Sequence, residues 1–262
     1  MPKFAANLTM LFNELDFADR FAAAAKAGFK GVEYLFPYAY RKELLAELLA
    51  RNGLVQVLHN LPAGDWAKGE RGIACLPDRR NEFRDGVGEA IEYATALDCR
   101  QVNCLAGITP RSHPVEEVRE TLVENLRFAA TELGKAGIRL LIEPVNTRDI
   151  PGFYLCRTAQ ALALIDEVGS DNLFLQYDIY HMQIMEGDVI ATITKHIKYI
   201  SHFHTGGVPG RHEIDETQEL NYAAIMQAIV KTGFKGYVAQ EFIPSRKNKL
   251  ASLQQGIGIC DV

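Results

Sequence analysis

KAGFKGVE, residues 26–33, returns near the other end of the chain as KTGFKGYVAQE, residues 231–241, and more loosely as KAGIRLLIE, residues 135–143. Each copy runs from a helix end through a glycine into a β-rich run. Each then reaches a glutamate at or near the end of that run: Glu33, Glu241 and Glu143. A glycine just past the last helical turn suits the left-handed residue that closes a helix. The same rhythm extends outward over the whole chain. β-rich runs fall at 4–10, 31–36, 54–60, 101–107, 139–145, 173–180, 199–205 and 236–242. Amphipathic stretches such as FADRFAAAAKAG, KELLAELLARNG, EEVRETLVENLRFAATELGKAG and NYAAIMQAIVKTG lie between them. Eight strands give units of about 33 residues, the size of one βα repeat. Strands alternating with helices imply a parallel sheet, because parallel neighbours need crossover connections. Repeated units of one design predict a closed (β/α)8 TIM barrel of the α/β class rather than an open doubly wound sheet. No GxGxxG follows the first strand, which removes the main sequence support for a dinucleotide fold. No linker or composition break interrupts the chain, so residues 1–262 read as one domain.

Composition narrows the function. Hydrophobic residues make up 48% and charged residues 23%, with a net charge of −5. Such a chain can bury a large core and offers no basic footprint for nucleic acid or an anionic membrane. No apolar run approaches the roughly 20 residues that span a bilayer. The amino-terminal MPKFAANLTMLFNELDF meets polar residues too soon for a secretory leader, so a cytoplasmic protein is expected. The five cysteines, Cys75, Cys99, Cys104, Cys156 and Cys260, are odd in number and lack CxxC spacing. They read as free thiols in a reducing compartment.

In a (β/α)8 barrel the chemistry sits at the C-terminal ends of the strands. The polar residues there are Glu33, His59 with Asn60, Glu143, Asp178 with His181, His202 with His204, and Glu241. Any one of these carboxylates alone could cap a helix or face water. Glu143, Asp178, His204 and Glu241, however, come from four successive strands, each inside an otherwise apolar run. Buried carboxylates are costly unless paired or metal-bound, and three at one mouth would repel one another. A divalent cation resolves that, and an oxygen-rich set with one imidazole suits Mg²⁺ or Mn²⁺, or Co²⁺, over structural zinc. His202 and His204 share one strand face, so both can look inward with only the outer one reaching a metal. His113 and His196 read as surface residues.

Two loops complete the expected mouth. LPAGDWAKGERGIACLPDRR, residues 61–80, is the longest irregular stretch and carries Trp66, the only tryptophan, with Lys68, Glu70 and Arg71. Long loops at barrel mouths often exclude water from reactive intermediates. VPGRHEID, residues 208–215, offers Arg211, a cation able to hold a substrate carboxylate through two parallel hydrogen bonds. His59, Trp66, Lys68, His181 and Arg211 are therefore the expected substrate-binding residues.

FAANLTMLF, GVEYLFPY, LHNLPAGDWAKGERGIACLP, LLIEPVN with DIPGF, and QYDIYHMQ closely resemble the hydroxypyruvate isomerase family, within the xylose-isomerase-like TIM barrels. The likeness covers nearly the whole chain. It implies reversible conversion of hydroxypyruvate to tartronate semialdehyde, with Glu143 and Glu241 as the acid–base pair. The superfamily's metal position falls on Glu143, Asp178, His204 and Glu241. Strand seven departs: His204 stands where the family usually has glutamine, as in the related ketose 3-epimerases. The mechanism implied is proton transfer beside a carbonyl through an enediol, with no organic cofactor. The rival readings are an isomerase or 3-epimerase of a C4–C6 sugar or sugar acid such as 2-oxo-tetronate, an endonuclease-IV-like metallohydrolase, and an inactive sugar-binding barrel. The expected partner is a small hydroxy or oxo acid or sugar, neither nucleic acid nor membrane, with homo-oligomer formation left open.

Overall fold

The structure, a computed structural model, describes residues 2–262. Eight strands form it: β1 (Lys3–Asn7), β2 (Gly31–Glu33), β3 (Val55–Asn60), β4 (Gln101–Cys104), β5 (Arg139–Ile142), β6 (Leu173–Asp178), β7 (Ile200–Thr205) and β8 (Tyr237–Gln240). They pair in sequence order, and β1 pairs with β8 to close the barrel. Every pairing is parallel. All eight expected strands are present. Most stop short of the expected C-terminal end, as β5 does at Ile142 rather than residue 145. There the chain leaves the ladder to build the mouth.

The helices are α1 (Phe17–Lys26), α2 (Lys42–Asn52), α3 (Arg80–Ala96), α4 (Val115–Lys135), α5 (Thr158–Val168), α6 (Ile179–Met185), α7 (Val189–His196), α8 (Tyr222–Lys231) and α9 (Lys249–Cys260). The repeated glycines do what the motif demands: Gly28, Gly137 and Gly233 have φ of 99°, 70° and 79°. Side chains rarely adopt that backbone, so glycine is the residue that turns each helix back into a strand. The principal core lies between the outer face of the sheet and the helices, where α4 buries Leu122, Leu126, Ala129 and Leu133 at helical spacing. Inside the barrel is a smaller apolar group of Ala5, Val57, Leu58, Leu141 and Ala239.

That inner group positions the site. Strand side chains alternate with a period of two. Asn7, Glu143 and Glu241 each stand two residues beyond Ala5, Leu141 and Ala239, and so face the barrel axis above an apolar floor. No described helix is long and apolar enough to cross a membrane. Cys75, Cys99, Cys104 and Cys260 are buried, Cys156 is half-buried, and all five are free.

Leu126→Ala should cost about 2–5 kcal/mol, since deleting a buried leucine removes transfer energy and leaves a cavity. Urea unfolding followed by circular dichroism measures it. A loss below about 1 kcal/mol would show that α4 does not carry the packing assigned to it.

Candidate active site

Four potential donors converge at the strand ends. Glu143, Asp178, His204 and Glu241 each present one atom within 4.8 Å of the others, and all four are buried. The Nδ1 of His204 is 2.6 Å from Glu241 Oε2, 3.6 Å from Glu143 Oε1 and 4.0 Å from Asp178 Oδ2. Behind His204 lies Glu33, which the strand-end survey picked out without a role. Its carboxylate is 3.0 Å from His204 Nε2 and 2.7 Å from His202 Nε2. His202 is buried one step deeper, against Gln101.

Asp178 does two jobs. Its Oδ1 accepts from the backbone N–H groups of Tyr180 and His181 and so caps α6. Its Oδ2 faces the mouth and accepts from Arg211 Nη2 at 2.7 Å. Arg211 Nη2 also donates to Glu241 Oε2, and Nε donates to the Glu241 carbonyl. The guanidinium lies 5.2 Å from the Tyr180 ring centroid. Arg211 itself has φ of 57°, a strained backbone for a long side chain. The loops after β7 and β8 hold that conformation: Gly207 N–H donates to the His212 carbonyl, and Ile243 N–H donates to the Arg211 carbonyl.

Burial works to raise the carboxyls, and neighbouring cations decide the outcome. Burial pushes Glu241 up, but Arg211 and His204 outweigh it and hold it below the usual range. For Asp178 burial prevails over Arg211, and the carboxyl is raised. Burial would strip the proton from His204, yet Glu241 and Glu33 hold its imidazolium well above the ordinary range. Against four carboxylates, Glu33 included, stand Arg211 and His204. An imidazolium cannot ligate, so a divalent cation here would take the place of the His204 proton. With that proton gone, the His204 ring nitrogen and the oxygens of Glu143, Asp178 and Glu241 form a net-negative, oxygen-rich donor set that fits such an ion.

These groups open onto a cavity lined also by Asn7, Asn60, Trp66, Asp149 and Gln176. His59 lines it as a neutral ring: burial lowers its pKa to about 4, and its Nδ1 lies 3.1 Å from the Asn60 carbonyl. His181 is neutral too, lowered to about 3 by burial and then by Arg211, and Asn146 Nδ2 donates to its Nδ1. Trp66 packs edge-on to Phe36 and carries Arg71 on its face, 4.1 Å from the ring centroid. The long loop docks on the barrel at Gly72. A Cβ there would sit 2.2 Å from the Leu105 carbonyl oxygen.

Of the expected substrate-binding residues, His59, Trp66, His181 and Arg211 line the cavity and Lys68 does not. The Lys68 ammonium is exposed and pairs with Asp65 at 2.8 Å. Residues two apart on a 3₁₀ turn point in different directions, so the turn that sends Trp66 inward carries Lys68 outward. Arg211 is at the mouth as expected, and through Nη2 it spans two of the clustered carboxylates. Sequence reading passed over Asn7, Asn103 and Asp149. Asparagine at a strand end carries no signal until its partner is known. His113 is not a free surface group: it sits between Asp78 and Glu117 at 2.9 and 3.1 Å.

This arrangement matches a known class. Residues 21–259 match the family model described as xylose isomerase-like TIM barrel, and the chain belongs to that family. Among individual proteins, it is 53% identical to the hydroxypyruvate isomerase of Escherichia coli K12, over 93% of this chain and 94% of that one. It is 46% identical to the 2-oxo-tetronate isomerase of Cupriavidus necator over the same shares. A crystal structure described as AP endonuclease, family 2, from Brucella melitensis superposes with a TM-score of 0.92 at 44% identity, covering 95% of this chain and 96% of that chain.

His59 makes stability depend on pH. Its pKa is about 4 when folded and near 6.5 when unfolded. The unfolded chain therefore binds the extra proton first, and stability falls as pH drops from about 6.5 toward 4. The slope approaches about 1.4 kcal/mol per pH unit for one proton. His181, lowered to about 3, adds a similar slope, so His59→Gln should remove one proton's share of the pH dependence of the melting temperature over that window. An unchanged profile would mean that His59 is protonated in the folded protein.

Proposed function

We propose that the protein is a cytoplasmic isomerase of small hydroxy-oxo acids that moves a proton between adjacent carbons with Glu143 and Glu241. The observation that carries this reading is the pairing of two buried glutamates from β5 and β8 across one cavity, their carboxylate oxygens within 4.8 Å of each other. The isomerases among the relatives support the substrate class. Hydroxypyruvate is the first candidate, and the four-carbon 2-oxo-tetronate is the second, each the substrate named for one of the similar isomerases.

For hydroxypyruvate, one glutamate takes a proton from C3 and an enediol forms. The other gives a proton to C2, and the proton lost by the C3 hydroxyl replaces the one taken up by the C2 oxygen, so that an aldehyde is left at C3 and a hydroxyl at C2 with no net change in protons. Glu241, kept ionised by Arg211 and His204, is suited to accept a proton. Glu143, Asp178, His204 and Glu241 would hold a divalent cation such as Mg²⁺, Mn²⁺ or Co²⁺. When bound, that ion supplies polarisation of the substrate carbonyl and charge stabilisation for the enediolate. The protein bonds of Arg211 use Nε and Nη2, leaving Nη1 to meet the substrate carboxylate. Neutral His59 and His181 and the Trp66 ring close the cavity around the rest of the molecule. A phosphodiester hydrolase gains little from these surroundings, since Arg211 is the one arginine or lysine lining the cavity among the described residues.

Glu143→Gln and Glu241→Gln should each lower turnover at least ~10²-fold while the fold is retained. The assay is a panel of hydroxypyruvate, 2-oxo-tetronate and neutral ketoses. More than half the native turnover in either variant would remove the glutamate pair from the mechanism. Chelation should lower activity, and Mn²⁺ or Mg²⁺ should restore it. Full activity in protein shown metal-free by elemental analysis would sink the metal assignment and leave the glutamates standing.

A further inference from the structure

The two glutamates are held in the same way from opposite sides of the barrel. On one side, Asn7 Nδ2 donates to Glu241 Oε1 at 2.9 Å and to Glu33 Oε1 at 2.9 Å. Its own Oδ1 accepts from Thr9 N–H at 3.0 Å, which settles which end of the amide faces the carboxylates. On the other side, Asn103 Nδ2 donates to Glu143 Oε2 at 3.2 Å and to Asn60 Oδ1 at 3.0 Å. A flipped Asn103 amide would set its oxygen against the Glu143 carboxylate. Both asparagines are buried, and each comes from the strand neighbouring its glutamate: β1 beside β8, and β4 beside β5.

From this geometry we propose that Asn7 and Asn103 are positioning residues, one for each proton-transfer glutamate, and that each controls one half of the isomerisation. The inference rests on the glutamate-pair reading above. An amide is suited to the task because it spends two donors, carries no charge and cannot itself take the proton in transit. Each bond removes one carboxylate oxygen from competition and turns the other toward the cavity. For Glu241 that second oxygen is the one beside His204 and Arg211. For Glu143 it is the one 3.6 Å from His204. Asn7 also stands between two carboxylates, Glu33 and Glu241, and bridges them with its one amide nitrogen.

The two halves can be told apart in deuterium oxide. When the enediol forms it either returns to substrate, carrying solvent deuterium, or goes on to product. The ratio of exchange into recovered substrate to isomerisation reads that partition. Slowing the glutamate that serves the substrate carbon slows the return step and lowers the ratio. Slowing the glutamate that serves the product carbon raises it. Asn7→Ala and Asn103→Ala, assayed with hydroxypyruvate, should each lose ~10–100-fold in kcat with little change in KM. They should also shift the ratio in opposite directions. Asn7→Thr keeps one donor and suits a strand, and it should shift the ratio the same way as Asn7→Ala if the alanine variant folds poorly. Equal losses with the ratio unmoved, or moved the same way in both, would overturn the proposal, since a general loosening of the barrel has no reason to distinguish the halves. A crystal structure of Asn7→Ala supplies an arm independent of substrate. Glu241 should rotate away from its present orientation, and an unmoved carboxylate would also overturn the proposal. A native enzyme inactive on the whole substrate panel would overturn the functional reading, while the crystallographic arm still decides the asparagines.

Discussion

Four carboxylates confined in a buried barrel mouth set the terms for everything around them. Glu33, Glu143, Asp178 and Glu241 lie within a few ångströms of two imidazoles and one guanidinium, almost wholly out of water. At an effective dielectric of about 20, two like charges 4 Å apart repel by roughly 4 kcal/mol, enough to spoil the site unless cations are fixed among them. Arg211 and the His204 imidazolium provide part of that balance. Asparagine amides and backbone N–H groups absorb more, and a divalent ion taking the place of the His204 proton would complete the balance.

Much of the structure outside the mouth can be understood as support for this balance. Arg211 must reach across from the loop after β7, and its left-handed backbone requires that the loop be pinned. Glu213 accepts from the backbone N–H groups of Ser245 and Arg246 and from the Ser245 hydroxyl. Asp215 pairs with Arg246 and caps Thr217. These contacts tie the loop after β7 to the loop after β8, which also carries Glu241 at its start. The guanidinium and the carboxylate that it neutralises are thus held by one rigid unit. The long loop of residues 61–80 is braced separately, with Glu70 bonded to both Arg79 and Asp65, so Trp66 meets the cavity from a folded turn.

The barrel makes such a site affordable. An apolar floor of Ala5, Leu141 and Ala239 lies below the charged layer, and helix-packed apolar residues surround it. The same low-dielectric setting that makes the charges costly also strengthens each hydrogen bond that orients them. Asp178 shows how closely structure and chemistry overlap, since one of its oxygens caps a helix while the other faces the arginine. Its reading as a helix cap and its reading as a site residue are both true of the same side chain.

The repeated helix–glycine–strand–glutamate motif made the barrel legible, because periodicity and glycine φ requirements are local properties of the chain. Strand-end position likewise singled out Glu143, Asp178, His204 and Glu241, since a barrel sends its strand termini to one face. Sequence alone therefore determined the architecture and the acidic, histidine-bearing mouth. It could not show that Lys68 turns outward while Trp66 turns inward, that Arg211 spans Asp178 and Glu241, or that Asn7 and Asn103 grip the two glutamates. Those facts join residues up to 234 positions apart. Only closure of the sheet, which sets β1 against β8, brings such pairs within hydrogen-bond distance, and hydrogen bonds and charge balance are decided by distance in space rather than along the chain.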